Sequence, residues 1–157
     1  MHMNRILTLS VVLAVLGIAK TVAAIELPDL KAGLWESRTS MGATKNSMST
    51  MCMDNATYKK MSDDQEKNPN NPCKLIHSEH SGSTISSEVE CKFGNKVSRS
   101  KTVMTLSGNT GYHSETRSSD NSVAMVIDSK YTGACPAGMK LGDVTGPQGM
   151  KFNVLDK

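Results

Sequence analysis

Four sulfur-bearing side chains lie close together in the chain: Met48, Met51, Cys52 and Met53. Thioether sulfurs are soft ligands that suit Cu(I), so these residues are candidates for a copper site. Because successive side chains of a β-strand point to opposite faces, a strand here would separate Met48 and Cys52 from Met51 and Met53. Methionine also fills irregular gaps in hydrophobic cores. We expect packing at this segment, and periplasmic copper handling or a stress response based on the Met-rich strand remains the alternative function.

Three histidines complete the set of candidate metal ligands: His77, His80 and His113. A spacing of three residues suits one face of a helix, but the segment around His77 and His80 has the pattern of a strand, on which they point to opposite faces. His113 lies on a different predicted strand and could join only one of them. We therefore predict solvated histidines, and we expect no metal or other cofactor.

No catalytic set can be assembled from the sequence. The many serines include no G-x-S-x-G nucleophile elbow, and no Asp–His pair is placed to serve one. Glu88 and Glu90 share a strand face, but no partner base or nucleophile can be assigned to them. We predict that the protein is not an enzyme.

Short segments of alternating apolar and polar residues follow one another along most of the chain, separated by turns rich in glycine, serine and asparagine. These predicted strands cover residues 33–41, 47–53, 74–80, 83–91, 97–106, 111–116 and 123–131. Strands joined by short polar turns are typical of an antiparallel meander. Asp54 or Asn55 can cap a short helix that runs to about Gln65. The predicted fold is mainly β: about seven strands forming a curved sheet or half-barrel, with one short helix after the second strand.

A curved sheet could hold a ligand against large apolar side chains on one of its faces. The candidates for such a ligand face are Trp35, Met48, Met104, Met125 and Ile127. Trp35 is the single tryptophan, and it can either anchor the core or stack against a ligand. We predict a non-catalytic binding or interaction module whose partner is a small apolar ligand or a segment of another protein.

The first 24 residues have the composition of a secretory signal peptide. Arg5 precedes an apolar stretch over residues 6–19, and small residues follow at Val22, Ala23 and Ala24. This stretch is shorter than the ~20 residues of a membrane-spanning helix. We therefore expect residues 1–24 to be removed, residues 25–157 to form a single β domain, and the protein to be periplasmic or secreted without a membrane span.

Composition changes once the signal segment is set aside. Of the hydrophobic residues, 16 lie in the first 24 positions and 43 are spread over the remaining 133. In that remainder 16 basic residues face 15 acidic residues, so no clustered positive field favours a nucleic-acid partner. We expect a monomer with a small hydrophobic core that needs covalent support.

Four cysteines can provide that support: Cys52, Cys73, Cys91 and Cys135. An even number of cysteines in an exported chain with a thin core indicates disulfides, whereas a zinc site needs closely spaced pairs. Three pairings are possible. We predict that neighbours along the chain are joined, as Cys52–Cys73 and Cys91–Cys135.

Two segments carry a resemblance to a known family. The first includes the Lys-Ala-Gly-Leu-Trp-Glu segment at residues 31–36 and the Met-Cys-Met-Asp segment at residues 51–54. The second is the end of the chain, residues 131–140 followed by Gly142 and Asp143. Together with the cysteine layout, they resemble the domain-of-unknown-function 3617 family over nearly the whole mature chain. The resemblance implies a small exported protein of Gram-negative bacteria, mostly of β-structure, with no established activity, ligand or catalytic residue.

Overall fold

The computed structural model describes residues 28–42, 46–119 and 123–156, so the expected signal peptide at residues 1–24 lies outside the described residues. The described chain contains nine β-strands, one α-helix and a short 3-10 turn over Pro147–Gly149. In chain order the elements are β1 (Gly33–Ser40), β2 (Ser47–Met53), α1 (Asn55–Lys67), β3 (Cys73–Ser81), β4 (Thr84–Phe93), β5 (Lys96–Leu106), β6 (Gly111–Ser118), β7 (Val123–Gly133), β8 (Asp143–Thr145) and β9 (Lys151–Asn153). Among the described helices, none has the length and apolarity that crossing a membrane requires.

All nine strands belong to one open antiparallel sheet, in the order β3-β4-β5-β6-β7-β1-β2-β8-β9. Strands β3 to β7 form a sequential meander, and β1 then pairs with β7 along almost its whole length. The predicted fold class, a mainly antiparallel β-structure with one helix after the second strand, is confirmed.

The strand number is nine rather than about seven, because the tail after Cys135 contributes β8 and β9. Each is only three residues long, too short for an alternating pattern to reveal it in the sequence. Strand β8 pairs with the edge of β2 that does not pair with β1, and it places Thr145 opposite Thr50 and Val144 opposite Met51.

Cross-strand pairing divides the sheet into two faces, since directly opposite residues point to the same side. We call them the aromatic face and the charged face. The aromatic face carries Trp35, Met51, Met53, Ile85, Met104, Tyr112, Met125, Ile127 and Tyr131. The charged face carries Glu36, Arg38, Glu88, Glu90, Arg99, Lys101, His113, Glu115, Arg117, Asp128 and Lys130.

The hydrophobic core is small and lies at one end of the aromatic face. Its buried members are Leu30, Trp35 and Met53, with Tyr58 of α1 packed against them.

Asp54 caps the helix by accepting a hydrogen bond from the Thr57 backbone N–H at 2.7 Å, and this bond lowers the pKa of the Asp54 carboxyl group. Burial raises the pKa of Tyr58 to about 12. The N-cap therefore starts the helix immediately after β2, in position to bring Tyr58 onto the core.

Two disulfides join Cys52 to Cys135 and Cys73 to Cys91, so the predicted pairing of neighbours is wrong. Cys73 and Cys91 lie directly opposite each other in the β3–β4 ladder. Strand β3 forms one edge of the sheet, and five strands separate it from β2, which carries Cys52. Because β1 lies between β7 and β2, the segment that follows β7 brings Cys135 next to Cys52 instead.

Candidate functional site

Four of the five predicted ligand-face residues share the aromatic face: Trp35, Met104, Met125 and Ile127. Met48 does not join them. It lies opposite Arg38 on the charged face, because the β1–β2 register pairs Trp35 with Met51 and so turns Met48 to the other side. The assignment of Met48 to the ligand face is therefore wrong.

Trp35 lies in the core rather than on an open surface, since only 1% of the residue is exposed to solvent. Its indole Nε1 donates a hydrogen bond to the Lys31 carbonyl at 2.9 Å. Its ring stacks against Tyr112 at a centroid distance of 6.1 Å and meets the edge of Tyr131 at 6.2 Å. Of the two interpretations of Trp35, the structure supports the core anchor.

An apolar row crosses the aromatic face away from this core. Ile127 on β7, Ser114 on β6, Met104 on β5 and Ile85 on β4 are opposite one another in consecutive ladders. At about 4.8 Å per strand, the row from Ile127 to Ile85 spans ~14 Å. Ile85 and Ser114 are buried, whereas Met104 and Ile127 are half-buried. Ile85 was not among the predicted ligand-face residues, although its alternation with Val89 and Cys91 signals the same face.

Hydroxyl side chains flank the apolar row on both sides. Thr102 and Thr116 hydrogen-bond across the β5–β6 ladder with 2.9 Å between their oxygens. On the other side, the Ser37 and Ser129 oxygens are 2.8 Å apart. Helix α1 packs against β2, which lies four strands away from β5 in the sheet. The row therefore combines an apolar strip with neighbouring hydroxyl groups on a part of the face distant from the helix.

The Met-rich segment does not converge on one point. Met53 is in the core and Met51 packs against it, whereas Met48 is 41% exposed on the opposite face. Cys52 has no thiolate to offer, since it is in a disulfide. The predicted split of this cluster between two faces is confirmed by the register of β1 and β2.

The histidines that were candidate metal ligands lie apart. His77 lies opposite Glu88 and His80 opposite Ile85, so the two point to opposite faces as predicted. His77 Nε2 is 3.9 Å from a Glu79 carboxylate oxygen, and His80 Nε2 is 3.0 Å from the Gly82 carbonyl oxygen. Within residues 28–42, 46–119 and 123–156, no three His, Cys, Asp or Glu side chains are grouped as metal ligands.

The charged face contains a groove of about 520 Å³ along β1, β6 and β7. Five acidic or basic side chains, counting histidine, line it: Glu36, Arg38, His113, Asp128 and Lys130. His113 Nδ1 is 2.7 Å from Asp128 Oδ1, and Lys130 Nζ is 3.0 Å from Glu36 Oε1. The hydrogen bond to Asp128 raises the pKa of His113, and Glu115 acts in the same direction. Arg38 and Asp128 were not singled out from the sequence, because nothing local to either residue indicates the other.

The two carboxylates noted on β4 are both close to cations of β5. The Arg99 guanidinium lies 2.8 Å from Glu90 and lowers the pKa of that carboxyl group. Lys101 lies 3.7 Å from Glu88. These ion pairs are part of an ordinary charged sheet surface.

An open antiparallel sheet with two disulfides and a core at one end defines the chain as a small disulfide-stabilised β protein. The sequence model of a family described as "Protein of unknown function (DUF3617)" matches residues 30–135, which is more than half of the chain. The chain belongs to this family, in agreement with the resemblance carried by its Gly-Leu-Trp segment and its cysteines. Neither the curated proteins nor the solved structures include a match.

Proposed function

We propose that the protein is an exported, non-catalytic binding module that holds a small, elongated apolar ligand against the aromatic face. The observation that carries this proposal is the row formed by Ile127, Met104 and Ile85 across four strands. An alkyl or similarly extended chain laid along the row would contact all three side chains. The hydroxyl groups on either side could bind its polar end.

The physical argument depends on apolar surface that the fold itself leaves partly uncovered. Met104 and Ile127 are only half-buried, so a ligand could remove further apolar area from water. Such burial contributes ~25 cal/mol per Å². Ser114 between them is small and buried, which leaves the row low enough for a chain to lie across it. A flexible methionine such as Met104 also adapts to ligands of different shape.

Export is supported by the signal-like composition of residues 1–24 and by two disulfides, which persist in oxidising compartments. We propose the periplasm as the location. The absence of catalysis is part of the same proposal. Both ring nitrogens of His113 face carboxylates, and His113 makes no contact with a serine or threonine hydroxyl among the described residues.

The test is binding of the neutral apolar fluorophore N-phenyl-1-naphthylamine to the purified mature protein. Substituting Met104→Gln puts a polar amide into the row, and it should weaken binding by at least about tenfold, or ~1.4 kcal/mol. Met48→Gln is the matched control, because it makes the same substitution on the opposite face and should change affinity less than about twofold. Equal effects of the two substitutions, or no saturable binding by the wild-type protein, would contradict the proposal.

Native mass spectrometry of protein purified from a periplasmic extract provides the second test. A co-purifying small mass that is lost from Met104→Gln but retained by Met48→Gln would support the proposal. A co-purifying peptide would instead show that a protein segment occupies the face, and would contradict a small ligand.

A further inference from the structure

The groove on the charged face contains Arg38, an arginine that forms no ion pair with any residue in the described part of the chain. Met48, Arg38, Asp128 and His113 follow one another in a row across β2, β1, β7 and β6. Asp128 is therefore the direct cross-strand neighbour of both Arg38 and His113. Its carboxylate contacts His113 at 2.7 Å, and it forms no ion pair with Arg38.

The other charges of the groove are already paired. Lys130 is 3.0 Å from Glu36, and the Asp128 contact engages His113. Within the described parts of the chain, Arg38 has no hydrogen bond or ion pair, and its side chain is exposed. Among the described lining residues, Arg38 is therefore the one cationic side chain without an ion pair, so its guanidinium is available to a ligand.

We propose that this groove is a binding site for a small organic carboxylate, which Arg38 binds through its guanidinium group. The planar fork of arginine matches a carboxylate in a bidentate geometry, and such charge-assisted pairs are stronger than neutral hydrogen bonds. Met48 stands next to Arg38 in the row and is 41% exposed, so it provides an apolar wall for the carbon chain of the acid. Ser107 and Thr110 also line the groove.

The affinity of the groove for a carboxylate should also depend on pH. The charged groups that face His113 come from its own strand β6, from β7 and from β1, and the residue opposite it on β5 is the uncharged Thr105. These groups are Glu36, Arg38, Glu115, Arg117, Asp128 and Lys130. Within the groove lining, Glu36 and Asp128 balance Arg38 and Lys130, so protonation of His113 makes the lining net positive. Carboxylate binding should therefore tighten on mild acidification, since a carboxylic acid is still mostly ionised at about pH 5.5.

This site is independent of the proposed apolar ligand, because Arg38 and Met104 lie on opposite faces of the sheet. A failure of one proposal leaves the other unaffected. The probe for the present site is butyrate, which carries one carboxylate and a short apolar chain. Butyramide is the matched neutral probe of nearly the same shape.

The experiment is a titration of ¹⁵N-labelled mature protein followed by NMR. Butyrate should give saturable shifts of the backbone amides of Arg38, His113 and Asp128, and of the Arg38 Nε–H, whereas butyramide should not. Arg38→Gln should weaken binding by at least about tenfold. Lys96→Gln removes one exposed positive charge at the β4–β5 turn, away from the groove, and should leave the affinity within about twofold.

Two results would overturn the proposal. One is butyrate shifts that stay linear with concentration or remain unchanged in folded Arg38→Gln. The other is equal weakening by Arg38→Gln and Lys96→Gln, which would indicate a general effect of net charge. The wild-type titration is repeated at about pH 5.5 and about pH 8, on either side of the histidine range. Tighter binding at the lower pH is expected, and equal or weaker binding there would contradict the role of His113.

Discussion

Asp128 lies directly opposite Arg38 in the β1–β7 ladder, yet its carboxylate contacts His113 on the other neighbouring strand, with 2.7 Å between Oδ1 and Nδ1. One carboxylate thus has two cross-strand neighbours that can be cationic, and the structure pairs it with the histidine. The hydrogen bond to Asp128 raises the pKa of His113, and it leaves the Arg38 guanidinium without an ion pair among the residues that the structure describes. The contact between Asp128 and His113 therefore affects both the charge available in the groove and the stability that protonated His113 contributes.

His113→Gln should remove a stabilising contribution that the wild-type protein loses as the pH rises. Because the pKa of His113 is raised in the folded state, its contribution is fully present below the unfolded value of ~6.5 and is lost as the pH rises through the folded value. Both side chains are exposed to solvent, so we expect less than about 1 kcal/mol.

Urea unfolding at about pH 5.5 and about pH 8 provides the measurement. The wild-type protein should lose more stability than His113→Gln between these two values. Thr105→Ser is the control, because it changes the exposed residue opposite His113 on β5 without removing a titratable group, and its pH dependence should follow that of the wild type. If His113→Gln changed stability equally at both pH values, the contact with Asp128 would not be the electrostatic one described.

The two disulfides should differ in their effect on stability. The Cys52–Cys135 bridge closes a sequence separation of 83 residues, and Cys73–Cys91 closes 18. The loop-closure relation assigns ~4.5 kcal/mol to the first and ~3 kcal/mol to the second. Double replacement by serine should therefore destabilise more at Cys52 and Cys135 than at Cys73 and Cys91, as measured by urea unfolding.

Disulfide-linked peptides provide a direct check of the pairing. Proteolysis of the non-reduced protein should yield peptides that join Cys73 to Cys91 and Cys52 to Cys135, identified by mass spectrometry. Peptides linking Cys52 to Cys73 would disprove the connectivity and, with it, the strand order that brings Cys135 close to β2.

Gly33→Ala should destabilise the start of β1. Gly33 has a φ of 144°, and a β-carbon there would collide with the Gly133 carbonyl oxygen and the Tyr131 ring. Gly133→Ala is the matched control, because Gly133 has a φ of 150° with open space around its missing β-carbon. Both substitutions strain the backbone by ~1–3 kcal/mol, but only the first adds a steric clash.

In urea unfolding, Gly33→Ala should therefore cost at least about 1 kcal/mol more than Gly133→Ala. Equal losses would mean that the contact between the two strand ends is looser than the structure shows.

Local patterns predicted much of the fold correctly. The period-two alternation around Val89 and Ile127 marks individual strands, because each side chain reports its own environment. Asp54 signals the helix start for a similar reason, since a cap acts on backbone groups three residues away. The same alternation separates Met48 from Met51 without reference to a partner strand.

Long-range register decided what local patterns could not. The pairing of Leu34 with Gly133 places β1 between β7 and β2, and no feature within either strand specifies that partner. This placement determines the Cys52–Cys135 bridge, provides the edge on which β8 forms, and positions Arg38 beside Asp128.

The amino-acid sequence by itself therefore determined the strand-rich class, the helix after the second strand and the family resemblance. Only the tertiary structure decided which cysteines are joined and which charged residues meet in the groove. The physical reason is that alternation records which side of a strand faces a core, whereas the partner of a strand depends on contacts between distant parts of the chain.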